Sequence, residues 1–256
     1  MLLQWTKEAT HAEPALRFRG LLSRLSAPDQ SALRPHFEVV EVTRGMRLLE
    51  VGDDGGHVFF PQGPLVSVGQ GNKVEVALVG CEGLVGWPAL VGCSLSPFEA
   101  TICCRDGFVL RIRAADLCMV AATRPAIGLL LSCFINAVGL QMAETIGAAV
   151  SHRLELRLAR WMLLRHDRLS GDEIAVQHDS IAANLGTRRA SVTDTLHLLE
   201  GAGHVRGHRG RIIVRDRAGL ELVAGGRYGA SEGFYRSVIG AFDKPVSMGL
   251  DVPLRL

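Results

Sequence analysis

Hydrophobic and polar positions change period twice along this chain. Residues 21–34, LLSRLSAPDQSALR, place apolar side chains at helical spacing, with Ser26 and Asp29 as candidate caps. From 37 to 113 the pattern shortens to strands. Phe37–Val42 and Lys73–Leu78 alternate, the second cleanly, and His57–Phe60 and Leu65–Val68 are short apolar runs. Gly52–Gly56 and Gly69–Asn72 separate them as turns. Arg105-Asp106-Gly107 between Thr101–Cys104 and Phe108–Ile112 predicts a hairpin. Several short strands at close spacing predict a sandwich or barrel.

Beyond Ala114 the period is helical again. Ala114–Ala122 precedes Pro125–Ser151, where Ile127, Leu130, Leu131, Phe134, Val138, Met142 and Ile146 step by three or four residues. So long an apolar face, following a complete barrel, predicts burial against a second copy of the chain. Pro125–Ala143 carries no charge, yet Gly128, Ser132, Asn136, Gly139 and Gln141 interrupt it, so an interface helix is expected rather than a membrane span. Residues 152–168 predict an amphipathic helix with Leu154, Leu158, Trp161, Met162 and Leu164 inward and the Arg residues largely elsewhere. Asp172 and Glu173 mark a loop.

Residues 178–200 have the pattern of a helix-turn-helix. Asp179 or Ser180 can cap a first helix ending at Leu185, and Gly186 supplies a left-handed turn. Thr187 can cap a second helix whose buried stripe is Val192, Leu196 and Leu199. Its outward positions are Arg188, Arg189, Ser191, Asp194, Thr195 and His197, hydrogen-bonding residues suited to base edges. Arg206–Val214 then predicts a two-stranded wing. The candidate DNA-contacting residues are His178, Thr187, Arg188, Arg189, Ser191, Asp194, Arg206, Arg209 and Arg211.

Composition sharpens this through placement. The 256 residues carry 28 Lys+Arg and 26 Asp+Glu, a net +2 that implies no nucleic-acid partner by itself. Only Lys7, Lys73 and Lys244 are lysines; a GC-rich coding sequence would explain that bias. It does not explain position. Between Gly186 and Arg217 stand seven Arg against three acids, a local +4. Arg supplies the planar, bidentate contacts that phosphates and guanine edges accept.

The six Cys form no CxxC pair and no structural zinc spacing. No signal peptide is visible at the N-terminus, so reduced thiols and a cytoplasmic location are expected. Cys103 and Cys104 could be a redox pair, with inert packing the commoner role. His204 and His208 have H-x3-H spacing, but on a turn and strand they suit DNA backbone or solvent better than zinc. Gly80–Gly86 lacks the Lys-Ser/Thr that would complete a phosphate loop. No nucleophile–base pair, carboxylate dyad or metal constellation appears, so an enzyme is not expected and no cofactor is predicted.

This order of parts resembles the Crp/Fnr family of bacterial transcription regulators over roughly residues 21–223. The sharpest matches are Gly80-Cys-Glu-Gly-Leu-Val-Gly86, Arg157-Leu-Ala-Arg-Trp-Met-Leu163 and Leu185-Gly-Thr-Arg-Arg-Ala-Ser-Val192. Arg206–Arg217 is similar to the wing of an Arg-rich branch found in soil and plant-associated proteobacteria. The resemblance implies an α+β fold: a cyclic-nucleotide-binding-like β-barrel (jelly roll), a long dimerisation helix and a C-terminal winged helix-turn-helix. It divides the chain into an N-terminal extension 1–20, effector barrel 21–122, dimerisation helix 123–150, DNA-binding domain 151–223 and tail 224–256, in which Phe234–Phe242 suits a short helix.

The implied partners are double-stranded DNA bearing a palindromic operator and a second copy of the chain. The resemblance also admits RNA polymerase. Departures bear on the effector. Relatives that bind cyclic AMP hold its phosphate with a barrel Arg, whereas here no Arg occurs between 48 and 104 and the matching neighbourhood, Ser96–Ala100, contains Glu99. An anion buried without a positive partner is costly, so tight cyclic-nucleotide binding is not expected. The iron–sulfur branch needs N-terminal cysteines, and none precedes Cys81. No residue stands out as an axial haem ligand. Gly86, Trp87 and Glu99 remain as candidate effector-pocket residues, although core packing is the commoner role for Trp87. The alternative function is a small-molecule-sensing barrel whose helix-turn-helix serves protein–protein contact.

Overall fold

The structure is a computed structural model that describes residues 17–71 and 74–242. The proposed position of Lys73 on a strand, the N-terminal extension through residue 16 and the tail beyond 242 lie outside the described residues. Helix α1, Ala27–Leu33, opens the fold behind a short 3-10 turn, and Ser26 caps it by accepting the Asp29 N–H. Seven strands follow: β1 Glu38–Val42, β2 Arg47–Leu49, β3 His57–Pro61, β4 Leu65–Gly69, β5 Glu75–Val79, β6 Glu99–Cys104 and β7 Gly107–Arg113.

They form two antiparallel sheets, β1-β7-β3 and β2-β6-β4-β5. The sheets are not closed into one ring. They face each other as a jelly roll over a core that includes Val58, Phe60, Val66, Ile102, Leu110 and Ile112, none more than 1% exposed. Each such side chain contributes roughly 1.5–3 kcal/mol by leaving water. The hairpin expected at Arg105–Gly107 does not form: β6 pairs β2 and β4, while β7 pairs β1 and β3. The turn is a corner between sheets, with Arg105 in the left-handed region at φ 62°. Turn residues alone do not specify which sheet the next strand joins.

Helix α2, Ala114–Thr123, leads into α3, Pro125–Ser151. Twenty-seven residues make α3 about 40 Å long. Among the described residues, it is the one helix long and apolar enough to cross a bilayer. However, one side is packed within the chain, including Gln141 and Glu144. That packed side contains Ile127, Leu131, Phe134 and Val138, the centre of the face expected to meet a second copy. The barrel approaches so closely at Phe134 that a Cβ on Gly83 would overlap its ring. A different stripe is uncovered, with Leu129, Ile146 and Val150 exposed at 68%, 58% and 83%.

Helix α4, Leu154–His166, departs most from its sequence reading. Its arginines are not outward: Arg160 and Arg165, and Arg168 just past the helix, are 4%, 3% and 5% exposed. Arg165 makes a two-pronged contact with Glu75 of β5, at 2.9 and 2.6 Å. Arg168 Nε donates to Glu82 at 2.7 Å, and Arg160 reaches Glu144 of α3 at 3.4 Å. Alternation in β5 suggested one wet face, but the helical domain covers that face as well.

The remaining elements are β8 Glu173–Ala175, α5 His178–Asn184, α6 Arg189–Gly201, β9 Val205–His208, β10 Arg211–Val214, α7 Arg217–Ala224 and α8 Ala230–Val238. Glu173, expected in a loop, begins β8 and makes the wing three-stranded in the order β8-β10-β9. The C-terminal helix spans Ala230–Val238 rather than Phe234–Phe242, and it packs on α3. Tyr235, 2% exposed, donates to the Glu82 carbonyl at 2.9 Å and stacks on Phe242 at 4.6 Å.

Removing one member of a buried ion pair strands the other. Glu75→Ala is expected to lower unfolding free energy by about 3–5 kcal/mol. Replacing both Glu75 and Arg165 by Met should restore most of that loss. Urea denaturation of both variants checks the pair: a Glu75→Ala loss below about 1 kcal/mol would contradict its burial.

Candidate nucleic-acid interface

The first helix of the pair, α5, begins without a side-chain cap: Gln177 is its N-cap residue, and neither Asp179 nor Ser180 takes the expected role. Its C-terminus is strongly specified. Gly186 N–H bonds the Ala183 carbonyl at 3.1 Å and Thr187 N–H the Ala182 carbonyl at 2.9 Å, the paired bonds of a Schellman motif. That motif needs φ +59° at Gly186, a conformation that L side chains rarely adopt. It uses Thr187 as an exit residue, so Thr187 does not cap α6. The N-cap is Arg188, extended at φ −88° and without a side-chain cap bond.

Val192, Leu196 and Leu199 bury the inner face of α6 as expected, at 0%, 5% and 0% exposure. Thr195, expected outward, is 7% exposed and donates to the Ser191 carbonyl at 2.7 Å. Arg188, Arg189, Ala190, Asp194 and His197 are exposed, and Ser191 and Thr187 are half-buried. No acid lies in the first turn. Two guanidiniums at the positive end of a helix are unfavourable to the helix itself, and both that end and the arginines attract an anion. Arg189 approaches Asp179 at 3.4 Å, but with both side chains about two-thirds exposed, and such pairs contribute about 0–1 kcal/mol. Arg189 can therefore leave Asp179 at small cost.

His178 is half-buried and touches α6. Its Nδ1 lies 2.9 Å from Thr193 Oγ1, which is also within hydrogen-bond distance of the Arg189 carbonyl at 3.2 Å. Ala190 was absent from the sequence candidates because it has no polar atom. Its signal is positional: it is exposed beside Arg189 in the first turn, where a small apolar group suits a thymine methyl.

The wing turns at Arg209-Gly210, with Gly210 at φ +77°. Arg206 and Arg209 are exposed, and Arg211 meets Glu173 at 3.3 Å with both about half exposed. Glu200 Oε1 accepts from Gly207 N at 3.2 Å and joins α6 to β9. His204 is paired within the chain. It bonds Asp216, 3.0 Å away, whose carboxyl is held below its usual range by the Gly219 N–H first and by His204 second. Arg217, counted in the basic segment, turns inward to Asp167 and Tyr228 at 2.7 and 2.5 Å. The outward basic set is therefore Arg188, Arg189, Arg206, Arg209, Arg211 and Arg215.

The helix-turn-helix is tied at its rear to α4 and to the barrel. Arg157 donates to the Leu185 carbonyl, and Asn184 Nδ2 lies 3.5 Å from Glu75. The three candidate effector residues do not share a cavity. Gly86, at φ +87°, passes so near His57 that a Cβ would lie 2.5 Å from its carbonyl oxygen. Trp87 is 9% exposed and packs on Phe98 with ring centroids 5.5 Å apart, within the barrel core. Glu99 instead lines a cleft of about 450 Å3 between the β2-β6-β4-β5 sheet and helices α4 and α5, with Arg44, Arg47 and Arg165.

Comparison with known proteins agrees with this arrangement. Residues 156–223 match the family model of the Crp-like helix-turn-helix domain. A search of curated protein sequences returns no match. Among solved structures, a putative Crp/Fnr-family transcriptional regulator from Eubacterium rectale is 16% identical, with a TM-score of 0.61 over 81% of this chain and 98% of that one. A CRP/FNR-family regulator from Thermus thermophilus is 22% identical, with a TM-score of 0.61 over 74% and 100%. FixK2 from Bradyrhizobium japonicum is 14% identical, with a TM-score of 0.62 over 74% and 98%. At these identities the likeness is one of fold: an N-terminal cyclic-nucleotide-binding-like domain, a long helix and a C-terminal helix-turn-helix.

The cysteine pair behaves as packing. Cys103 donates to the Leu65 carbonyl at 3.4 Å, and burial pushes its thiol up to about 12; burial also raises Cys104. At pH 8 the Cys103 thiolate fraction should be roughly a thousandfold below that of an ordinary thiol. Iodoacetamide labelling followed by peptide mass analysis should therefore modify exposed Cys93 and Cys118 and leave Cys103 unmodified. Equal labelling of Cys103 and Cys93 would contradict the packing assignment.

Proposed function

We propose that this protein is a sequence-specific DNA-binding transcription regulator that acts as a homodimer on an inverted repeat. The observation that carries the reading is the first turn of α6: Arg188 and Arg189 are exposed and that turn carries no acid. Arg189 reads a guanine edge by its two-pronged guanidinium, Ala190 packs on a neighbouring base, and Asp194 accepts from a cytosine amino group. Arg188 and the wing residues Arg206, Arg209 and Arg211 hold phosphates and set the register. The uncovered stripe of α3 is the contact with the second copy, and two copies place two recognition helices about one DNA turn apart. RNA polymerase is a further partner under this reading, and the cytoplasm its location. The effector of the barrel is a molecule other than cyclic AMP, since no Arg lies between 48 and 104 to hold a phosphate.

Fluorescence anisotropy on an operator duplex, repeated across a salt series, tests the assignment. Arg189→Ala should cost about 1–3 kcal/mol and relax discrimination at one base pair. Arg209→Ala should weaken all sequences alike and reduce the salt slope by about one. Full operator affinity in the Arg188→Ala, Arg189→Ala double variant would overturn the reading.

A further inference from the structure

Helix α8 follows the helical domain in sequence but packs with the barrel and α3. Leu220 and Ala224 of α7 lie in the core of the helical domain. Beyond them Gly225–Arg227 forms a 3-10 turn, and Gly229, at φ +108°, leads the chain into α8. Tyr235 is then part of the core shared by the barrel and α3, with Ile239 and Phe242 packed against it. This segment lies past the region matched by the helix-turn-helix family model, which ends at residue 223. The chain therefore passes between the barrel–α3 unit and the helical domain twice: forward at His152–Arg153, and back at 225–229.

The returning segment is anchored at two three-way junctions. At the first, Ser231 Oγ donates to Glu144 Oε2 of α3 at 2.6 Å, the same oxygen that Arg160 of α4 approaches at 3.4 Å. Arg160 Nε also donates to the Arg227 carbonyl at 2.8 Å. At the second, Glu82 takes Arg168 on its side chain and Tyr235 on its carbonyl, and the Arg168 guanidinium lies 5.0 Å from the centre of the Phe242 ring. Arg24, in the 3-10 turn before α1, donates to the Ala241 carbonyl at 2.6 Å. Ser231 and Tyr235 are 3% and 2% exposed. Lifting α8 away would break these buried contacts and open the Arg160 and Arg168 pairs to solvent, where ion pairs contribute little.

The segment covers neither surface that the DNA-binding reading uses. Arg188 and Arg189 on one side, and Leu129, Ile146 and Val150 on the other, are exposed with α8 seated. What α8 removes is freedom. Between α3 and α4 the backbone is extended at His152 and Arg153, a joint about which a domain held by one crossing could swing. With a second crossing anchored at Glu82 and Glu144, that swing requires α8 to come off. We propose that residues 225–242 are a strap that holds the helical domain at one angle to α3 and so preorganises the chain for its operator. The proposal rests on the homodimeric DNA-binding reading above: two recognition helices engage one inverted repeat together only when both helical domains keep that angle, and order supplied before binding is not lost on binding.

Fluorescence anisotropy with full-chain variants tests the strap. The probes are a duplex selected by the parent chain from random sequence, carrying the complete inverted repeat, and a duplex carrying one half-site. Ser231→Asp sets a carboxylate against Glu144 and Glu232, and Tyr235→Ala removes the contact with Glu82. Each should weaken binding to the complete site about tenfold, keep the half-site within about twofold and leave the half-site salt slope unchanged. Phe234→Ala, on the exposed face of α8, should match the parent on both duplexes. Selective loss on the complete site in either variant supports the strap. It is overturned if neither variant shows that selective loss, whether because affinity is kept or because both duplexes suffer equally; equal loss would mean that α8 supports the folding of the helical domain rather than its angle. Failures of the underlying reading show in the parent instead. No salt-sensitive binding removes the DNA-binding reading, equal affinity for the two duplexes removes the homodimer, and the strap's role goes with either.

Discussion

Three buried arginines on one short stretch, Arg160, Arg165 and Arg168, join the two halves of this molecule. Each reaches a carboxylate on a different element: Glu144 on α3, Glu75 on β5 and Glu82 just beyond it. A guanidinium does not lose its proton in a protein, so each must find an acceptor or remain a buried charge. Such pairs add little net stability over an apolar replacement, yet breaking one is expensive. Their consequence here is geometric. Domains joined by apolar contact alone could slide, whereas three directional pairs fix α4 on the barrel and on α3. Because α5 follows α4 and touches the same Glu75 through Asn184, the helix-turn-helix inherits that position.

The same contacts show how a barrel could act on a distant surface. Glu82 accepts from Arg168 through its side chain and from Tyr235 through its carbonyl, in the loop that closes on α3 beside Phe134. A shift of that loop would meet α3, α4 and α8 together. The recognition surface, by contrast, is uncovered. Arg188 and Arg189 stand at the positive end of α6 with only one exposed ion pair between them. The fold therefore invests its strong polar contacts in position and leaves its outward cations for another molecule.

Local patterns in the sequence predicted most elements. Alternation located β1, short apolar runs located β3 and β4, helical spacing located α2, α3 and α4, and Gly186 marked the turn between α5 and α6. What local pattern missed was set by distant residues. Arg160, Arg165 and Arg168 look outward on an isolated α4 because nothing nearby in sequence indicates Glu144, Glu75 or Glu82. The corner at Arg105–Gly107 carries hairpin residues but joins two sheets. Thr187 has a capping side chain, yet the Schellman bonds place it in the exit from α5. On α3 the most apolar stripe attracted attention, although apolarity there served the chain's own core. A second stripe, with Leu129, Ile146 and Val150, is the uncovered one, and only burial separated the two. Of the proposed DNA-contacting set, the arginines were legible from charge placement, whereas the contact of His178 with Thr193 required the structure.

Reading of DNA by α6 from a twofold-symmetric molecule is tested by selecting bound duplexes from random sequence with the full chain. An inverted repeat should be enriched, with guanine in each half-site and half-site centres separated by about 10 base pairs or a multiple of that spacing. Failure to enrich any sequence, or recovery of one isolated half-site without its inverted copy, would contradict it.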